Sequence, residues 1–222
     1  MFKCFFMKIV LKNIQVNERL SEETTCFAAT IYIDDVRAGE ASNRGHGGNT
    51  SYNALDERGA ELIRKAEKYC KGLPPRTYEG MGVEGKDLVV KMDLEGFIDG
   101  LITDHLTKKD LTQYNRKLEK AMQEGIVVGI PDESFRAWKL KVPVARYMES
   151  DRTKEILRKI IVGRVVPDLK KDEVILNHNF PADFVKLLKV GDRLVPQGRV
   201  SREDSLGSDQ ARGERQGRRS GR

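Results

Sequence analysis

Glycine and hydrogen-bonding residues are concentrated in one stretch, residues 43–52, which reads NRGHGGNTSY and is named the glycine loop below. Glycine adopts positive φ and lets other groups approach the backbone, so we predict a tight turn whose N–H groups converge on an anion or on a partner surface. Polar side chains on a loop are typical of binding sites. The candidate binding residues are Asn43, Arg44, Gly45, His46, Gly47, Gly48, Asn49 and Tyr52.

Two interpretations of this loop stay open at the level of sequence. In the first, Arg44 pairs with a phosphate and His46 or Tyr52 stacks on an exposed base, although no lysines cluster beside Arg44. In the second, the glycines serve only to turn the backbone in a long connection between strands. The two interpretations predict different effects of substituting Arg44 and His46.

Motifs of known catalytic or metal chemistry do not match this sequence. The loop departs from GxGxxG, lacks the Lys-Ser/Thr end of a P-loop, and no GxSxG is present. Acidic pairs such as Asp93/Glu95 and Asp99/Asp104 are explained as helix caps and solvent-facing residues. We therefore predict no catalytic residue and no cofactor, with a nucleotide-binding or small-anion-binding enzyme kept as an alternative.

Histidine and cysteine spacing supports neither a metal site nor a disulfide framework. The three histidines are scattered, and the three cysteines form no CxxC pair. We predict no metal and a reducing, cytoplasmic compartment. The residues concerned are His46, His105, His178, Cys4, Cys26 and Cys70.

Charge indicates an acidic partner. The chain holds 40 Lys and Arg against 34 Asp and Glu, for a net charge of +6, which favours nucleic acid or a protein–nucleic-acid complex. Residues 199–222 have almost no large apolar side chains, so we predict a disordered basic tail. Its arginines contact phosphates in one interpretation and only keep the protein in solution in the other. The candidate tail contacts are Arg212, Arg215, Arg218, Arg219 and Arg222.

Hydrophobic periodicity predicts an α+β fold with an N-terminal antiparallel β-meander and a packed helix. Alternation of apolar residues marks the strands, Asp34-Asp35 marks a turn, and a bulge is expected at Lys12-Asn13. Apolar residues at spacings of three and four mark the helix. The predicted strands are 8–16, 24–33, 36–42 and 50–53, and the helix is 56–71.

A helix-rich α+β second half is predicted to follow. Thr107 and Asp110 resemble a capping box, which predicts that two helices, one from Asp93 and one ending at Gly125, form a helical hairpin. Further predicted elements are strands 126–130, 134–142 and 173–176 and helices 151–162 and 181–190. The predicted domains are 8–72, a linker or long loop at 73–87, 88–198 and the tail 199–222.

No segment has the roughly 20 apolar residues of a membrane span. The opening MFKCFFMKIV is interrupted by lysines and has no cleavage site of small residues, so we predict no export. Met7 is an alternative start to Met1, because KIVLKNIQV after it already has the pattern of a strand.

Several segments together resemble a group of small proteins carried by phages, plasmids and integrated elements of gut bacteria. These are SEETTCFAATIYIDD, the glycine loop, IVVGIPDESFRAWKL and EVILNHNF, within residues 8–178. The resemblance implies a mobile-element setting that includes counter-defence factors such as anti-CRISPR inhibitors, and it carries over no catalytic residue. Asn49 and Tyr52 stand where the group has similar polar and aromatic residues.

The expected function is that of a non-enzymatic intracellular accessory protein which binds nucleic acid or a nucleoprotein complex, counter-defence inhibition being one form. The alternatives are the enzyme named above, which needs a deep pocket with titratable groups near His46, and a purely protein-binding factor, which needs an exposed apolar patch. A structural virion protein, which would self-assemble, is the third. The sequence does not determine the oligomeric state.

Overall fold

The computed structural model describes residues 7–195, which form two compact units, residues 7–106 and residues 107–195. An antiparallel four-stranded sheet, smaller sheets and several helices confirm the α+β class. The predicted tail, with its arginines, lies outside the described residues. Within residues 7–195, every helix is too short or too polar to cross a bilayer.

The first unit is built on an antiparallel sheet with strands in sequence order. Its strands are β1 (Ile9–Val16), β2 (Phe27–Ile33), β3 (Val36–Asn43) and β4 (Ser51–Ala54). The predicted bulge is present, because the β1–β2 register shifts between Lys12 and Gln15. Asp34 and Asp35 adopt φ of 47° and 64°, as a tight hairpin turn requires. Ile31 and Ile33 of β2, one of the two central strands, are fully buried and contribute to the hydrophobic core.

One amphipathic helix, α1 (Glu57–Lys71), covers this sheet as predicted. Asp56 caps it by accepting a hydrogen bond from the Gly59 N–H at 2.7 Å. Ala66 and Cys70 are fully buried on its inner face. A side chain at Gly59 would overlap the carbonyl oxygen of Ala38, so glycine here permits the close approach of helix and strand.

The segment predicted as a linker or long loop, residues 73–87, contains one strand and the connection of a β-hairpin. The strands of the hairpin are β5 (Arg76–Tyr78) and β6 (Leu88–Val90), which pair antiparallel with Thr77 opposite Val89. Local periodicity did not indicate these strands because each has three residues and glycines surround them. The compact units divide after Leu106 and not in this segment.

The predicted helical hairpin is wrong. Residues Leu94–Glu124 form one helix, α2, of 31 residues. Thr107 and Asp110 resemble a cap, but no glycine or proline lies between Gly100 and Gly125 to end a helix. Thr112 donates its hydroxyl to the Lys108 carbonyl at 2.8 Å, inside the uninterrupted helix.

The second unit is a three-stranded antiparallel sheet, in the order β8-β7-β9, packed with helices. Its elements are β7 (Gly125–Ile130), β8 (Ser134–Lys139), α3 (Val144–Tyr147), α4 (Asp151–Ile160), β9 (Val174–Ile175) and α5 (Ala182–Leu188). The turn at Pro131-Asp132 is present, with Asp132 at φ 61°. After α4 the helix widens into a π-turn over Ile161–Val165. The short helix α3 was not predicted.

Candidate functional site

Asn43, the last residue of β3, is the centre of the glycine loop. Its side chain is 8% exposed and is fully engaged in hydrogen bonds. Oδ1 accepts from the Thr24 hydroxyl at 2.8 Å and from the Gly45 N–H at 2.8 Å. Nδ2 donates to the Gly48 carbonyl at 2.9 Å and to the Thr50 hydroxyl at 3.3 Å. Asn43 therefore organises the loop from within and presents no polar atom to a partner.

Gly45 joins the loop to the segment before β2. Its carbonyl oxygen accepts the N–H groups of Glu22, Glu23 and Thr24 at 2.9, 3.0 and 3.3 Å. Gly45 has φ 90°, and a side chain here would overlap the Leu20 carbonyl oxygen. A non-glycine residue is excluded at this position by both conformation and space.

The other two glycines are under weaker constraints. Gly47 has φ 79°, its N–H donates to the Thr24 hydroxyl at 3.3 Å, and a Cβ would meet the flexible Glu23 carboxylate. Gly48 has no atom within 4 Å of the position a Cβ would occupy. The N–H groups of Gly45 and Gly47, which were predicted to converge on an anion or on a partner surface, are instead bonded to the side chains of Asn43 and Thr24.

Thr50 fastens the end of the loop to helix α2. Its N–H donates to Glu95 Oε1 at 2.9 Å, and its hydroxyl donates to Asp99 Oδ1 at 2.6 Å. Sequence assigned Asp93, Glu95 and Asp99 to helix caps and solvent. Asp93 does cap α2 at Gly96 and Asp99 is exposed, but Glu95 and Asp99, one turn apart, also bind Thr50. Contacts across 45 and 49 residues leave no local signal in a sequence.

A cavity of about 210 Å³ lies beside the loop. Apolar contact comes from Phe27 and Ile102, and Asp99 is the titratable residue among those that line it. Pockets for drug-sized ligands are larger, about 300 Å³ or more. The other lining residues are Thr24, Thr25, Asn43, Gly48 and Thr103. His46 does not line this cavity, which has the size and polarity for a small hydrogen-bonding group.

The remaining predicted side chains divide between the surface and the sheet. Arg44, His46 and Asn49 are exposed, and His46 Nδ1 lies 3.1 Å from the Glu22 carboxylate. Tyr52 lies on β4, where its hydroxyl donates to Glu67 at 2.9 Å. The Tyr52 pKa is raised to about 12. Burial of the hydroxyl is the larger cause, and the Glu67 carboxylate is the next. The structure therefore leaves Arg44, His46 and Asn49 as the exposed polar groups of the predicted set.

Carboxylates surround the loop. Glu22 and Glu23 precede β2, Glu95 and Asp99 hold Thr50, and Arg44 is the cation within the loop itself. This charge balance favours a cationic or neutral hydrogen-bonding partner over a phosphate. The described residues include no group of three His, Cys, Asp or Glu side chains that could hold a metal ion.

Comparison of the chain with protein-family models, with curated proteins and with solved structures finds no match.

Proposed function

We propose that this chain is a non-enzymatic accessory protein that binds a protein–nucleic-acid complex, and that its second unit contacts the nucleic acid. The observation that carries the proposal is the division of charge between the units. Residues 7–106 hold 13 Lys and Arg against 17 Asp and Glu, a net charge of −4, whereas residues 107–195 hold 19 against 13, a net charge of +6. A phosphate backbone attracts the second unit and repels the first.

Helix α4 supports the assignment in detail. Arg152, Ile156 and Lys159 follow one another at spacings of four and three, so they share one exposed face of the helix. Arg152 and Lys159 form no ion pair with any residue in the described range, in contrast to Arg158, whose Nε lies 2.7 Å from Glu155. Cations that form no close ion pair can contact phosphates and displace the counterions of the nucleic acid.

At the C-terminal end of this face the backbone is accessible to another molecule. Gly163 lies within the π-turn, and no atom lies within 4 Å of the place where a Cβ would stand, so another molecule can approach the main chain there. Arg164 follows it and is exposed. A π-turn inside a helix often marks a functional site. The face formed by Arg152, Ile156, Lys159 and Gly163 is therefore our candidate nucleic-acid contact.

The setting we propose is a mobile genetic element inside a cell, with counter-defence as a specific form of the function. The resemblance of the sequence motifs to phage and plasmid proteins supports this setting. Cys26 and Cys70 are free thiols, as a reducing compartment favours. The specific form is tested by plaque counts of a CRISPR-sensitive phage on cells that express the chain, where an inhibitor restores plaques.

The nucleic-acid contact is tested by fluorescence anisotropy with labelled single- and double-stranded oligonucleotides over a salt series. The double variant Arg152→Glu and Lys159→Glu should weaken binding at least tenfold and flatten the salt dependence, with about two fewer counterions released. The matched control is Arg64→Glu with Lys68→Glu, which reverses two exposed cations one turn apart on α1 in the acidic unit. An equal loss in both double variants would refute the assignment to the second unit.

A second candidate, binding of protein alone, is favoured by the β5–β6 hairpin. Tyr78, Leu88, Val89 and Val90 are each at least 39% exposed on this hairpin. An exposed apolar patch is the feature expected of a protein-binding factor. Binding to a partner that persists at high salt and after nuclease treatment would favour this candidate over the first.

A further inference from the structure

The β5–β6 hairpin exposes apolar side chains on both strands and at its tip. Val89 is 59% exposed in the middle of β6, and Met81 and Val83 at the tip are 73% and 85% exposed. Isolated exposed apolar residues are ordinary, but a contiguous group on a two-stranded sheet is not stable by itself in water. The hairpin is therefore a surface that gains free energy when another chain covers it.

Each strand of this sheet has an edge that pairs with no other strand in residues 7–195. Such an edge presents unpaired N–H and C=O groups to a further strand. Pro74 and Pro75 precede β5 directly, and proline has no N–H to donate, so the β5 edge is blunted. β6 is continued instead by Asp87 on one side and Lys91 on the other, and both are exposed.

We propose that β6 pairs antiparallel with β6 of a second copy of this chain, about a two-fold axis at Val89. In this register Val89 lies opposite Val89 of the second copy, and Leu88 lies opposite Val90 of the second copy. Asp87 then lies opposite Lys91 of the second copy, and the two-fold axis repeats this pair. The four strands form one continuous antiparallel sheet.

Charge complementarity indicates that the strand which pairs with β6 comes from a second copy of this chain. Directly opposite residues of antiparallel strands have Cβ atoms about 5 Å apart, within reach of an Asp–Lys pair, and opposite charges stabilise such pairs. The segment DLVVK is complementary to itself in this register, and no like charges face each other. Asp87 uses Oδ1 for the Gly80 N–H at 3.1 Å and retains Oδ2 for lysine. Met92 is buried, which ends the pairing at Lys91.

The interface is small, and its size predicts the strength of the dimer. Five residues from each copy bury far less than the ~1,200 Å² of a stable standard-size interface. The association is therefore reversible and dependent on concentration. Edge pairing of identical strands about a two-fold axis also closes on itself, so it produces dimers and not filaments.

Sedimentation velocity of the full chain over a concentration series tests the proposal by charge exchange. Wild-type protein should sediment faster as concentration rises and approach a dimer. Asp87→Lys and Lys91→Asp, each alone, place like charges opposite each other twice and should weaken the dimer at least tenfold. An equimolar mixture of the two variants should restore it, because the Asp87→Lys chain carries lysine at both positions and the Lys91→Asp chain carries aspartate at both. Both cross-strand pairs of the mixed dimer are then lysine opposite aspartate.

Two further variants locate the contact. Val89→Arg should abolish the dimer, whereas Val83→Arg, a matched change at the exposed hairpin tip, should preserve it. Circular dichroism spectra equal to wild type show that each variant is folded. A wild-type chain that remains monomeric at all concentrations overturns the proposal. So does a dimer that is unaffected by Asp87→Lys, or single variants whose mixture fails to recover.

Discussion

Asn43 donates a hydrogen bond to the Gly48 carbonyl oxygen at 2.9 Å and so closes the glycine loop across its mouth. The same side chain accepts the Gly45 N–H at 2.8 Å. An amide can do both because it has a donor and an acceptor at opposite atoms. Asn43 therefore links the two sides of the loop, in addition to the backbone bonds of the Gly45 carbonyl and the bonds of Thr50 to α2.

Replacing this residue should therefore destabilise the first unit. Asn43→Ala removes the partner of the Thr24 hydroxyl proton, of the Gly45 N–H and of the Gly48 carbonyl, and we expect a loss of about 2–4 kcal/mol in the free energy of unfolding. Chemical denaturation followed by circular dichroism measures it. Asn49→Ala, an exposed change in the same loop, is the control and should cost less than about 0.5 kcal/mol. Equal stabilities would show that Asn43 does not organise the loop.

Gly45 and Gly48 should differ in their tolerance of a side chain. Gly45→Ala is incompatible with both φ 90° and the nearby Leu20 carbonyl, so we expect a loss of about 2–4 kcal/mol. Gly48→Ala meets open space at ordinary φ and should change stability by less than about 1 kcal/mol. Thermal melts of the two variants compare them directly. A Gly48→Ala variant as unstable as Gly45→Ala would contradict the geometry of the loop.

The four strands of the first sheet and the first helix could be predicted from sequence because their signals are local. Ile31 and Ile33 alternate with polar or exposed neighbours, and Asp56 stands at the start of a helical period. The helical hairpin could not be excluded, since the capping pattern at Thr107 is equally compatible with the interior of a helix. The helix-favouring residues on both sides of Thr107 overrode the local cap signal.

The candidate site was predicted only in part, for a physical reason. Sequence identifies residues that cannot form regular structure, and it located the loop correctly. It does not show which polar groups are consumed internally, and both Asn43 and Tyr52 proved to be engaged with neighbours. The partners of Thr50 lie 45 and 49 residues away, so only the folded chain reveals them.

Variants of the exposed loop residues distinguish a loop that contacts a partner from a loop that only turns the chain. Arg44→Ala and His46→Ala should each lower the melting temperature by no more than a few degrees, because an exposed pair such as His46 with Glu22 contributes at most about 1 kcal/mol. If the loop contacts a partner, both changes weaken binding to the protein that a pull-down recovers, as measured by calorimetry. Full binding by both variants would assign the loop to structure alone.

Acid should destabilise the second unit by protonating Glu173. Hydrogen bonds from Arg136 and from the Lys170 N–H lower the Glu173 pKa to about 2. The unfolded value is higher, ~4.3, so this stabilisation is complete above that pH and is lost as pH falls towards 2. Trp138, the single tryptophan, lies on β8 and reports unfolding by fluorescence.

Glu173→Gln should lower the stability of the second unit at neutral pH and make its loss between about pH 5 and 2 shallower. Glu133→Gln, at an exposed residue of the β7–β8 turn, is the matched control and should retain the wild-type profile. An unchanged pH profile for Glu173→Gln would show that the ion pairs with Arg136 contribute nothing to this acid dependence.

Asn177, in the motif EVILNHNF, should be the polar residue of the second unit whose substitution lowers stability the most. Asn177 is fully buried, accepts the Val127 N–H at 2.7 Å and donates to the Gly125 carbonyl at 3.0 Å. A further bond from Asn177 Nδ2 to the Met122 carbonyl, at 3.5 Å, joins the end of α2 to the segment after β9. Asn179 adds a bond to the Met122 carbonyl at 3.0 Å.

Asn177→Ala should cost about 3 kcal/mol, since it leaves buried backbone groups unpaired, and Asn177→Asp should cost as much because a carboxylate replaces the donor facing two carbonyl oxygens. His178→Ala, at the exposed residue between the two asparagines, should be nearly neutral. Urea unfolding followed at Trp138 compares the three variants. If His178→Ala destabilised the unit as much as Asn177→Ala, the hydrogen bonds of Asn177 would not explain the stability of this segment.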